Sequence, residues 1–189
     1  MAEAIYTIGH STRPIDAFIE LLRRSAIEVV VDVRTVPRSR TNPQYNRDAL
    51  PASLGEADID YQHLPALGGL RGRDRETPFT KNAFWENDSF HNYADYAMSE
   101  PFREGLETLR NRGHTARSAV MCAETVWWRC HRRIITDYLL AAGERVLHIL
   151  GPGHIEPATI NEAAQLHANG TLTYPAEQRD LFDAPGAKR

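Results

Sequence analysis

Ile27-Glu28-Val29-Val30-Val31-Asp32-Val33 decides the fold. Its unbroken β-branched run has lost the in–out alternation of a half-exposed strand, as happens where both faces of a parallel sheet are covered. Outward from it, Ile5 to Gly9 and Ser118 to Cys122 read as further buried strands, with Ile59 to His63 and Val146 to Leu150 completing a set of about five. Helical periodicity separates them. Ile15 to Arg24 places Phe18, Leu21 and Leu22 on one face, and further helices are expected around Tyr93 to Met98, Phe102 to Arg110 and Trp127 to Ala142, the last ending at Gly143. Strands alternating with helices predict an α/β fold: a single-domain layered structure with a mostly parallel sheet of about five strands flanked by helices. Residues 1–183 are expected to form that domain, with a core over 5–150, an extension over 151–183 and a frayed tail over 184–189.

Composition narrows the function classes. The chain has 189 residues, of which 42% are hydrophobic, enough for one ordinary core. A net charge of -3 is not the footprint of a general DNA binder, so a nucleic-acid partner is not favoured. Met1 to Thr7 lack the features of a secretory signal, and no apolar stretch approaches membrane-helix length; a cytoplasmic protein with no membrane partner is the expectation. In that compartment the two cysteines, Cys122 and Cys130, are expected to be reduced thiols. Lysine occurs only at Lys81 and Lys188, so arginine supplies the cations, and guanidinium groups suit forked contacts to phosphate or carboxylate.

Parallel α/β sheets bind ligands beyond the carboxyl ends of their strands, and polar clusters fall there repeatedly in this chain. Gly9-His10-Ser11-Thr12 follows the first strand and Asp32-Val33-Arg34 closes the second. His63-Leu64-Pro65 follows the third, and Cys122-Ala123-Glu124 the fourth. Arg34, Arg38 and Arg40 either neutralise a phosphate together, or Arg34 pairs with Asp32 and the others are simply solvated. Gly68-Gly69 could add backbone N–H groups, though the Gly-Lys-Ser/Thr ending of a phosphate loop is missing. The segment Leu67 to Asp88 is long and polar enough for a binding loop or lid.

Cys122, at an expected helix N-terminus near cations, is a candidate nucleophile or a small buried residue. Six residues separate it from Arg129, one more than a tyrosine-phosphatase-like Cys-x5-Arg loop allows; a rhodanese-like loop wraps backbone amides round its cysteine, whereas here Trp127 and Trp128 crowd the turn and no glycine relaxes it. Glu124 is placed to cap the helix, to take a proton or to meet an arginine. His10 and His63 are candidate acids or bases, and Ser11 or Thr12 a candidate helix cap or phosphate ligand ahead of Pro14. If the last helix runs from Trp127, then Cys130 shares a core-facing stripe with Ile134 and Tyr138 while His131 diverges from it. No metal centre is expected on that geometry. The aromatics Phe84, Trp85, Phe90, Tyr93 and Tyr96 either stack a base or pack a helix onto the sheet.

Taken in order, Thr7-Ile8-Gly9-His10-Ser11, Asp32-Val33-Arg34 with Pro37-Arg38-Ser39-Arg40, Asn46, Leu67-Gly68-Gly69, and Cys122-Ala123-Glu124 with Cys130-His131-Arg132 resemble the bacterial and archaeal domain-of-unknown-function 488 family, over Thr7 to about Leu150. The resemblance implies membership and names no reaction. The residues themselves leave three readings. The first is an enzyme acting on a phosphate-bearing or nucleotide-like small molecule, with Glu124, Cys122 and His10 at the chemistry and Ser11, Arg34, Arg38, Arg40, His63, Gly68, Gly69, His131 and Arg132 binding the ligand. The second is a non-catalytic nucleotide or nucleic-acid binding module; the third is a structural or partner-binding domain. Cofactor and oligomeric state have no signature in the chain.

Overall fold

A computed structural model describes residues 4–176. Five parallel strands form the sheet: β1 (Ile5–Gly9), β2 (Val29–Asp32), β3 (Asp60–His63), β4 (Ser118–Cys122) and β5 (Val146–Gly151). A sixth, β6 (His154–Pro157), returns antiparallel along the edge of β5, and the spatial order is β3-β2-β4-β1-β5-β6. The helices are α1 (Ile15–Arg24), α2 (Leu50–Gly55), α3 (Asp88–Ala97), α4 (Glu100–Thr115) and α5 (Arg132–Ala141). A two-stranded ribbon of β7 (Gln165–Leu166) and β8 (Leu172–Thr173) stands apart from the main sheet.

The valine run of β2 is buried throughout, and the two-residue period sorts it between two cores. Val30 packs with Phe18, Leu22, Leu50 and Leu54 in the layer of α1 and α2. Val29, Val31 and Val33 face the opposite layer, with Phe102 of α4 and Ile134 and Tyr138 of α5. In β4 the same alternation sends Ala119 and Met121 to the first core, and Val120 and Cys122 to the second. The orientation of Cys122 toward α5 is therefore fixed by strand parity.

The structure corrects several local expectations. Trp127 to Ala142 is not one helix: Trp127–Arg129 forms a single 3-10 turn, Cys130 is extended, and α5 begins at Arg132. Neither Ser11 nor Thr12 caps α1, because Pro14 occupies the cap position without a side-chain bond; Ser11 instead carries a φ of 51° in the turn leaving β1. Helix α2 and strands β6 to β8 are additional to the expected elements. The Leu67 to Asp88 segment buries its later part, with the Asn82 amide donating to Asp95 at 2.7 Å and accepting from the Tyr174 N–H at 3.0 Å. The aromatic segment packs onto the sheet, with Trp85 and Tyr93 buried and the Tyr93 hydroxyl donating to the Leu67 carbonyl at 2.7 Å. The tail expected over 184–189 lies outside the described residues.

Strand β4 runs between β1 and β2, so the chain leaves three adjacent strand ends in different directions and opens a crevice above them. The backbone closes tightly at one side of it. A Cβ on Gly9 would sit 1.7 Å from the Glu124 carbonyl oxygen, which glycine alone permits. Gly9→Ala is expected to lower the unfolding free energy by about 2 kcal/mol or more through this backbone collision, measured as a fall in the urea midpoint at constant slope.

Candidate functional site

The end of β2 carries a closed polar cluster. Asp32 is fully buried and forked by Arg34, with Nε donating to Oδ1 at 2.9 Å and Nη2 to Oδ2 at 2.5 Å. The Arg34 backbone N–H and the Tyr61 hydroxyl donate to the same carboxylate, at 3.0 and 2.8 Å. Arg34 also donates to the Tyr45 carbonyl at 2.7 Å and from Nη1 to His10 Nε2 at 3.3 Å. A buried ion pair offsets its desolvation only with such complete bonding. The second of the two sequence alternatives for Arg34 is therefore the one realised, and its charge is largely spent inside the protein.

His10 is held by the same cluster. Its Nδ1 lies 2.8 Å from the Ser11 carbonyl, an acceptor, so Nδ1 carries the hydrogen and Nε2 receives the Arg34 donor. The ring stacks on Tyr45 at 4.1 Å. Burial, then the nearby Arg34 charge, lower its pKa to about 4 against the opposing bond to Ser11, so the imidazole is neutral at physiological pH.

A second cluster lies at the end of β4. After Cys122 the chain runs out through exposed Ala123 and Glu124 and turns back at Trp127–Arg129, which brings the Cys130 sulfur to 2.7 Å from that of Cys122. Both cysteines are free and buried. His131 does not diverge as a continuous helix would require: its Nδ1 is 3.6 Å from the Cys130 sulfur, and its Nε2 donates to the Val33 carbonyl at 3.2 Å. Gly69 makes room for that ring, since a Cβ there would lie 2.5 Å from Nδ1. Beneath the sulfurs is Arg132, 1% exposed. Its Nη2 donates to the Glu124 carbonyl at 2.7 Å, its Nη1 meets the Thr7 hydroxyl at 3.5 Å, and its backbone N–H meets the Cys130 sulfur at 3.4 Å. No carboxylate among the described residues pairs with this guanidinium; it faces the two sulfurs instead.

Electrostatics divides the pair. Burial alone raises the Cys130 thiol, but the hydrogen bond from Cys122 and the charges of His131 and Arg132 outweigh it and hold that thiol well below its ordinary value. Burial and the adjacent Cys130 push the Cys122 thiol well above it. Cys130 is thus the more acidic of the two thiols. The sequence singled out Cys122; the more acidic sulfur is its partner, concealed because the apparent helical stripe ran through it.

Both clusters face one cleft of about 730 Å³ at the carboxyl edge of β1, β2 and β4, a size suited to a small molecule. Of the residues expected there, His10, Ser11, Arg34, Arg38, Gly69, Cys122, Glu124 and His131 line it. Four do not. His63 donates to the Arg34 carbonyl at 2.8 Å on the far side of β2, Gly68 packs on Thr35, Arg40 is exposed outside the cleft, and Arg132 lies under its floor. Glu124 lies in the exposed loop rather than at a helix entrance, so the expected capping role is absent. Residues that sequence reasoning missed include Arg129, Thr35, Asn42 and Asn87, besides Cys130; Phe90, one of the aromatics offered for stacking a base, also lines the cleft. The exposed Arg38 and Arg129 are the cations at the mouth. The sulfurs of Cys122 and Cys130 and a carboxylate oxygen of Glu124 lie within 4.8 Å of one another, a donor set that could hold a metal ion.

The family model described as Domain of unknown function DUF488 matches residues 14–139. This chain is a member of the DUF488 family. The match takes in Arg34 through Arg132 and so the whole Cys122 to Cys130 loop, while the Thr7 to Ser11 end of β1 lies just ahead of the matched span. No curated protein and no solved structure matches the chain. No helix among the described residues of this DUF488 protein is long and apolar enough to cross a membrane.

The neutral His10 makes stability depend on pH. Its folded pKa lies below the unfolded value near 6.5, so its contribution is full above that value and is lost as pH falls toward about 4. The urea midpoint of the wild type is expected to fall over this window. His10→Gln, which keeps an amide able to bond both partners, is expected to recover part of that loss, on the order of 1 kcal/mol at pH 4.5 relative to pH 7.5.

Proposed function

We propose that this protein is a cytoplasmic enzyme that acts on a phosphate-bearing or nucleotide-like small molecule in the cleft, with the Cys130 thiolate as its reactive group. The observation that carries the reading is the buried Arg132 guanidinium, which among the described residues has no carboxylate partner and faces two sulfurs instead. A buried cation left uncompensated is costly, and a thiolate beside it supplies the missing charge. Thiolates are the nucleophilic form of cysteine and persist as thiols in a reducing compartment.

The lining supports an anionic ligand. Arg38 and Arg129 are exposed at the mouth, and their planar guanidinium groups can fork a phosphate oxygen pair. Ser11, in its left-handed turn, and Thr12 bring hydroxyl groups to the same rim. Glu124 is exposed beside the sulfurs and is placed to exchange a proton with a leaving group. His10, neutral and fixed at both nitrogens, orients Arg34 and shapes the wall rather than moving protons. Nucleic acid is the less favoured ligand, because a net charge of -3 is not the footprint of a general nucleic-acid binder.

Thermal unfolding against a panel of inorganic phosphate, nucleotides, sugar phosphates and short oligonucleotides tests the reading. A bound ligand at a hundred times its dissociation constant is expected to stabilise the fold by about 2.7 kcal/mol, or about 5 to 10 °C. Arg38→Ala with Arg129→Ala is expected to abolish the shift, whereas Cys130→Ser should keep the shift and lose turnover. Absence of a shift from every anion overturns the ligand class.

A further inference from the structure

We propose that Cys122 and Cys130 are a dithiol–disulfide couple, with Cys130 as the attacking sulfur and Cys122 as the resolving one, and that the substrate is a small anionic disulfide. The inference deepens the function proposed above and rests on it for the anionic ligand. It stands on geometry. The two sulfurs touch at 2.7 Å across a loop of seven intervening residues, and both line the cleft. Both cysteines are buried and both line the cleft; Cys122 ends β4 inside the sheet, whereas Cys130 sits on the returning loop beside the exposed Arg129. The imidazole of His131 and the backbone N–H of Arg132 flank Cys130, and the Arg132 guanidinium underlies both sulfurs. A nucleophile with its resolving thiol already in contact needs no rearrangement between the two exchanges.

The steps balance. The Cys130 thiolate attacks one sulfur of the substrate disulfide, forming a Cys130–substrate mixed disulfide as the substrate S–S bond breaks and one substrate thiolate leaves. The Cys122 sulfur then attacks Cys130, forming the Cys122–Cys130 bond and expelling the second substrate sulfur, which takes the Cys122 proton. The protein pair is oxidised by two electrons and the substrate disulfide is reduced by two. An excess of a small thiol reverses the same exchanges and restores the pair. The loop holding Cys130 is also the loop carrying Arg129, so substrate charge and attacking sulfur are presented by one segment.

The test uses the full chain and glutathione disulfide as an anionic probe, with bis(2-hydroxyethyl) disulfide as the neutral comparison, read by intact-mass and peptide mass spectrometry after alkylation. Wild-type protein is expected to lose two alkylatable thiols together and gain an internal disulfide. Cys122→Ser is expected to accumulate one glutathionyl group on Cys130, and Cys130→Ser to react at least about tenfold more slowly. Should either variant fail to fold, early alkylation quenches of the wild type read the same order of attack. Equal rates for the two single variants, a mixed disulfide that never resolves in the wild type, or a tightly held metal ion that blocks both thiols in the purified protein would each overturn the couple. Arg38→Ala with Arg129→Ala should slow the anionic probe alone. If both probes form the internal disulfide at rates those arginines do not affect, the couple stands and the anionic-ligand reading falls.

Discussion

The burial of one guanidinium organises this site. Arg132 opens α5 beneath the sheet edge and donates to the Glu124 carbonyl, which fixes the return of the loop that began at Cys122. That carbonyl is the same oxygen pressed against Gly9, so β1, β4 and α5 meet at a single point. A charge of this kind cannot be left in the interior without a counter-charge. Among the described residues the two sulfurs are the groups that face it, and Cys130 is the more acidic of them.

The two buried arginines make an instructive contrast. Arg34 brings its own carboxylate, Asp32, two residues away on the same strand end, and becomes part of the frame that positions His10 and Tyr45. Arg132 has no such companion among the described residues, and its positive charge faces the two sulfurs instead. A second buried imidazole extends that layer: His148 bonds Thr7 at 2.7 Å and stacks on Trp127 at 4.6 Å, and burial together with Arg132 lowers its pKa to about 4. The region behind the sulfurs therefore holds one fixed positive charge and a neutral histidine over a wide pH range.

The parallel core was legible because strands buried on both faces must be continuous apolar runs, as Val29 to Val31 and Ala119 to Met121 are. The helix α1 was legible in full for the complementary reason, a single apolar stripe at helical period. Helix α2 escaped because it is short and carries Pro51 in its first turn, and β6 because its four residues are all exposed and have no face to alternate. The start of α5 was misread for a subtler reason. Trp127, Cys130, Ile134 and Tyr138 have helical spacing, yet a 3-10 turn followed by the extended Cys130 satisfies the same spacing in the chain while turning the cysteine elsewhere. Local periodicity cannot report a sulfur–sulfur contact made by a loop returning on itself. The positions of Cys122 and Glu124 at a strand end were readable; their relation to Cys130 was tertiary.

The insertion of β4 between β1 and β2 also governs how the molecule comes into being. Those two early strands share no ladder with each other, and each pairs with β4, as Tyr6 does with Ala119 and Val30 with the same residue from the other side. Contacts so distant along the chain are entropically late in folding. During synthesis the N-terminal strands emerge without the neighbour that joins them; Cys122 closes that neighbour and Cys130 follows it along the chain. Cys122, Cys130 and the sheet edge that encloses them therefore come together in one closing event, late in the assembly of the sheet.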